Sequence, residues 1–219
     1  QKPDDIITEE QVRRRMEIIK PYTKWVRSFS CTDGNEFIPK IAKEYGIKTL
    51  VGAWLGDDPE INEREVAGLI DLANDGYVDI AAVGNEVMYR KDLTEDELLD
   101  FMSQVKEAIP SNIPIGYVDA YYEFSVRPRI TEACDVILAN CYPYWEGADI
   151  KIAGFYLQEM YQKTLQVAQD KKVIISETGW PSIGEQIGGA VPSKENVMNY
   201  YIKAQLWAEN ENIDLFYFS

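Results

Sequence analysis

KVIISETGWPS, residues 172–182, decides how this chain is read. Its first half is a continuous apolar run, as expected of a parallel strand covered on both faces. It stops on a carboxylate, Glu177, followed by Gly179, Trp180 and Pro181. A second stretch, DIAAVGNE (79–86), behaves the same way and stops on Asn85 and Glu86. Two strands that each end in a glutamate predict a barrel with a carboxylate pair at the C-terminal ends of its strands. Such a pair is the machinery of glycosidic bond cleavage.

Working outward, strand-like and helix-like runs alternate along the chain. WVRSFS (25–30), KTLVGAWL (48–55), VDIAAVGN (78–85), IPIGYVDA (113–120), CDVILANCYP (134–143), KVIISET (172–178) and IDLFYFS (213–219) read as strands. Helix starts are signalled by Thr8 with Gln11, Asn62 with Glu65, and Thr94 with Glu97, the spacing of capping boxes. Gly46 and Gly76 read as C-terminal caps, and Pro110 stops the helix begun at Thr94. Residues 155–169 and 194–210 are helical in period, with Leu157, Tyr161, Leu165 and Ala168 on one face. Residues 181–192 read as a loop at the strand ends.

Repeated βα units mean an α/β fold, a doubly wound sheet or a closed (β/α)8 TIM barrel; with carboxylates at the strand ends, the TIM barrel is expected, as one domain over residues 1–219. Seven strands are counted, so an eight-stranded barrel would lack its first strand and its last helix, unless the count is one short. An open barrel exposes two sheet edges, and the protein is therefore expected to continue on both sides.

The composition narrows the chemistry. The 219 residues include 22 Lys and Arg against 37 Asp and Glu, a formal charge of −15, and no histidine. The charge argues against nucleic acid and anionic membranes as partners. The missing histidine removes Ser-His-Asp and Cys-His catalysis and His-based metal sites. No apolar run reaches the ~20 residues of a spanning helix, and QKPDDIITEE resembles neither a signal nor a transit peptide. Cys31, Cys134 and Cys141 read as structural thiols. Cys31, near a strand end, is the one open to oxidation. No metal or other cofactor is implied.

Aromatic residues crowd the expected strand ends: Trp54, Tyr117, Tyr121, Tyr122, Tyr142, Tyr144, Trp145 and Trp180. Sugar rings stack on such platforms, although Trp and Tyr are equally common in cores. Their clustering favours ligand contact for Trp145 and Trp180. A lone strand-end glutamate often caps a helix or meets a lysine. Two of them with polar and aromatic neighbours argue for catalysis.

VGNE (83–86) and ISETGWPS (175–182) resemble glycoside hydrolase family 17, the retaining β-1,3-glucanases with barrel folds. VRSFSC (26–31), VGAWL (51–55) and NCYPYW (140–145) are similar to its bacterial branch. The resemblance implies that Glu86 is the general acid/base and Glu177 the nucleophile, with carboxyls roughly 5–5.5 Å apart. It implies that Tyr142 hydrogen-bonds the nucleophile and Asn85 holds a sugar hydroxyl. Arg27, Trp54, Tyr117, Trp145 and Trp180 complete the expected substrate-binding set. One departure is that Arg27 is followed by Ser28 and Phe29, where the family has a tyrosine. The implied activity is cleavage of β-1,3-glucosidic bonds in a laminarin-like glucan by a monomer that is secreted, periplasmic or at the cell surface. A glucanosyltransferase and a glucan-binding barrel without catalysis are the alternatives.

Overall fold

The computed structural model describes residues 7–218. Seven strands are present, in the sheet order β1 to β7: Trp25–Ser28 (β1), Lys48–Ala53 (β2), Ile80–Asn85 (β3), Ile115–Ala120 (β4), Val136–Asn140 (β5), Lys172–Thr178 (β6) and Leu215–Tyr217 (β7). This order is that of the (β/α)8 class expected from the alternating runs. All seven expected strands form; β6 keeps its expected bounds and the other six are shorter by a few residues. Ser219, the last residue of the seventh expected run, lies outside the described residues. No helix among the described residues is long and apolar enough to cross a membrane.

The chain divides into two compact units: residues 1–117 with 133–135, and residues 118–132 with 136–219. In the first unit β1, β2 and β3 pair in parallel. Every residue of β3 is buried, as is every residue of β2 after Lys48. That is why these strands read as unbroken apolar runs rather than alternating ones. Helix α1 (Glu9–Ile19) starts at the expected Thr8–Gln11 capping box. Its Val12 and Met16 pack with Ile41, Ala42 and Ile47. Ile41 belongs to α2 (Phe37–Glu44), after which Gly46 takes φ +70°. Each such fully buried side chain contributes about 1.5–3 kcal/mol.

Helix α3 (Pro59–Asn74) corrects one expectation. Its start is not an Asn62–Glu65 box. Asp58 caps the helix by accepting from the N–H groups of Glu60 and Ile61, and Pro59 occupies the first turn, where no N–H is needed. Asn62 and Glu65 are buried and bond elsewhere. The short helix α4 (Val87–Arg90) follows β3 directly, and α5 (Glu95–Ala108) has the expected Thr94–Glu97 box.

In the second unit β5, β6 and β7 pair in parallel. Short helices α6 (Glu123–Val126) and α7 (Pro128–Ala133) precede β5. Helix α8 (Ala153–Val167) precedes β6, and α9 (Lys194–Asn210) precedes β7. The buried face of α8 is Ala153, Leu157, Met160 and Thr164. Leu165 is exposed and Tyr161 only half-buried, so the expected stripe is rotated by about one position. Edge-on contact between Tyr161 and Trp207 of α9 explains the aromatic outside that stripe. Residues 181–192 form the expected loop, closed by a small bridge between Ile187 and Ala190.

Candidate active site

Glu177 sits at the C-terminal end of β6, where a shift in register fixes its direction. Ala139 pairs with Ile175, but Asn140 pairs with Glu177, leaving Ser176 as the extra residue. Such a bulge re-aims side chains at a strand end. The Ser176 hydroxyl donates to Asn140 Oδ1 at 2.8 Å. That bond orients the Asn140 amide, whose Nδ2 donates to Glu177 Oε1 at 3.2 Å. The Tyr142 hydroxyl donates to Glu177 Oε2 at 2.8 Å, the bond expected of it. Glu177 itself is 8% exposed.

Gly179 lies against Phe218, the residue that follows β7. A Cβ there would stand 1.8 Å from the Phe218 carbonyl oxygen, so no other residue fits. Trp180 corrects the expectation of a sugar platform. It is 1% exposed, its indole N–H donates to the Val191 carbonyl, and its ring packs against Tyr144 and Tyr200. It is a core residue that fastens the 181–192 loop. Trp145 is 64% exposed and stands edge-on to Tyr144.

Glu86 is set by its backbone. It follows β3 at φ +53°, ψ 29°, in the left-handed region, and Gly84 two residues earlier has φ +85°. A non-glycine residue there costs about 1–2 kcal/mol. Such strain gathers where function dictates direction. The Glu86 carbonyl accepts from the Arg90 N–H at 2.8 Å, closing the turn of α4. Asn85 is buried, and its Oδ1 accepts from the Arg27 guanidinium at 2.6 Å. Arg27 also lies over the Phe29 ring at 4.2 Å. The residue that replaces the expected tyrosine pattern is thus part of the arginine's seat.

Tyr117 also departs from expectation. It is 1% exposed, and its hydroxyl accepts from the Met88 N–H at 2.9 Å, so it supports α4 rather than offering a surface. Trp54 is half-exposed, with the Arg90 guanidinium 4.7 Å from its ring centre. Cys31 is buried and donates to the Gly52 carbonyl. Burial, reinforced by the charges of Glu65 and Glu36, pushes its thiol well up, so it is not the oxidisable group expected.

Several residues of these strand ends escaped the sequence reading. Buried Glu65 accepts from Ser30 Oγ, Thr32 Oγ1 and the N–H groups of Cys31 and Trp54. One carboxylate of α3 thereby fixes the loops after β1 and β2. Asn140, Ser176 and Arg90 were missed as well. Only the position of Asn140, at an apolar strand's end like Asn85, signals its role. Among the described residues no group of acidic and thiol side chains is arranged to hold a metal ion.

The whole chain, residues 1–219, matches the model of the BtgE/BtgC glycoside hydrolase domain. Among curated relatives, glucan 1,3-beta-glucosidase BGL2 of Candida albicans is 26% identical over 211 residues, covering 86% of this chain and 68% of the relative. The chain thus spans about two thirds of the length of such relatives. Among solved structures, the glycoside hydrolase family 17 beta-1,3-glucanosyltransferase of Rhizomucor miehei is 32% identical with a TM-score of 0.90. The match covers 97% of this chain and 81% of that one. An active-site mutant of the same enzyme in complex with laminaritriose is 31% identical, with the same TM-score and coverage. With its full length matched by the domain model and its fold shared at that identity, the chain belongs to the BtgE/BtgC glycoside hydrolases of family 17.

Proposed function

We propose that residues 1–219 form one catalytic domain that cleaves β-1,3-glucosidic bonds of a laminarin-like glucan with retention of configuration. The observation that carries this reading is the seat of Glu177. Tyr142 and Asn140 grip its two oxygens and fix its rotamer, as an attacking carboxylate requires. Glu177 attacks the anomeric carbon. The C–O bond to the leaving sugar breaks, and its electron pair passes to the glycosidic oxygen, which takes the proton of Glu86. Glu86 then removes a proton from water as the water oxygen bonds to the anomeric carbon and Glu177 leaves as carboxylate. Asn85, oriented by Arg27, holds a hydroxyl of the sugar under attack, and Trp54 and Trp145 offer rings for neighbouring sugars. The enzyme acts as a monomer outside the cell or at its surface, where polymeric glucan is met.

Likeness to a glucanosyltransferase supports a second reading, in which an acceptor sugar replaces water. The deciding experiment is a product assay on laminarin oligosaccharides with the full-length protein and Glu177→Gln. Shorter products from the former and none from the latter support the hydrolase. Products longer than the donor assign the transferase. Binding without product from either protein overturns both and leaves a glucan-binding domain.

A further inference from the structure

Arg90 makes more directed contacts than any exposed salt bridge needs. Its Nη1 donates to the carbonyl of Asn85, the residue just before the left-handed Glu86. Its Nη2 donates to the carbonyl of Leu55 at 2.9 Å, in the loop after β2. Its Nε donates to Asp92 at 2.6 Å, and its guanidinium carbon lies 4.7 Å from the centre of the Trp54 ring. The main chain of Trp54 is tied as well, its backbone N–H donating to buried Glu65 at 3.0 Å. One planar cation therefore joins the half-exposed indole to the backbone that aims Glu86.

The geometry points to Arg90 as a positioning residue for the proton transfer by Glu86, coupling that turn to the Trp54 ring. This rests on the acid/base role proposed for Glu86. The strained turn relaxes unless something holds it. The Asn85 carbonyl is the group whose rotation swings the following residue. A guanidinium is suited to the task because its donors lie in one plane at fixed angles while its face stacks on an aromatic ring. Lysine supplies one charged point and cannot meet two carbonyls, a carboxylate and a ring together.

The test compares kcat/KM, which reports the bond-breaking step, on two β-1,3-glucosides. One is a laminarin oligosaccharide, whose leaving sugar needs a proton. The other carries a dinitrophenyl leaving group, which departs without one. For Arg90→Met and Arg90→Lys the expected loss is about 100-fold on the oligosaccharide and under about 5-fold on the aryl glycoside. The expected melting temperatures stay close to that of the unsubstituted protein. Equal losses on both substrates, or none on either, overturn the proposal. Should Arg90→Met fail to fold, Arg90→Lys carries the test alone. Glu86→Gln is the control. If that variant lacks the split between substrates, the acid/base reading of Glu86 itself fails. If it has the split and the Arg90 variants lack it, only the positioning role fails.

Discussion

The turn that carries Glu86 and the strand end that carries Glu177 solve one problem in opposite ways. Glu177 stays in the ladder of β6, and its direction comes from its side chain, gripped by Tyr142 and Asn140. Glu86 has left β3, and its direction comes from its main chain, through φ +53° and the clamp on the Asn85 carbonyl. A nucleophile attacks from one fixed place, so holding its oxygens is useful. For a group that gives up a proton and takes one back, holding the peptide sets the direction from which the proton is delivered.

Each turn contains a glycine, and substitution there is expected to give the largest contrast. Gly179→Ala drives a Cβ into the Phe218 carbonyl, which is held in place by the bond from the Phe218 N–H to Thr178. A loss of about 4 kcal/mol or more and no activity are expected. Gly84→Ala meets side chains rather than backbone, Val87 at 2.9 Å and Leu98 and Tyr117 at 3.4 Å, on top of its positive φ. About 2 kcal/mol is expected there. Chemical denaturation of both variants checks the order, and equal losses break the contrast.

Tyr142→Phe removes the donor to Glu177 Oε2. A hydrogen bond to a charged group is worth about 1.5–3 kcal/mol, so kcat is expected to fall roughly 10- to 100-fold with folding intact. An unchanged kcat on laminarin would show that the Tyr142 bond is dispensable.

The two units are also expected to differ in alkali. Burial raises Tyr200 and Tyr121, raises Tyr161, and pushes Tyr217 up to about 12; all four lie in the second unit. Burial likewise raises Cys141. The folded state binds these protons more tightly than the unfolded chain. Their contribution to stability is therefore whole below the unfolded values, about 8.5–10, and drains away as pH climbs past them. The melting temperature is expected to fall from about pH 9 upward, and less steeply in Tyr200→Phe. A flat profile from pH 8 to 11 contradicts this.

The smallest effect is at Glu86 itself. Glu86→Gly is expected to be about 1 kcal/mol more stable than Glu86→Ala, because glycine accepts the left-handed conformation without strain. Equal melting temperatures would show that the turn is not held as described.

The fold was legible because parallel strands covered on both faces leave unbroken apolar runs, as in β3 and β5. Helix starts at Thr8 and Thr94 were legible because their partners lie three residues away. Asn62–Glu65 has the same spacing and misled, since the partners of Glu65 are up to 35 positions distant. Both glutamates and Tyr142 were visible as strand-end residues. The burial of Trp180 was not, because Tyr144 and Tyr200, which cover it, are brought there by other elements. Nor could the register shift at Ser176 be read, because a bulge depends on the neighbouring strand.

The buried thiols have a consequence for calorimetry. The chain has no histidine, and Cys31 and Cys141 are pushed far above neutrality. Side chains at ordinary values leave a gap between carboxylates below and amines and phenols above. Ligand binding measured near pH 6.5 in two buffers of different ionisation heat should therefore give the same enthalpy. Any buffer-dependent difference counts protons moved by a carboxylate, with no imidazole background to subtract.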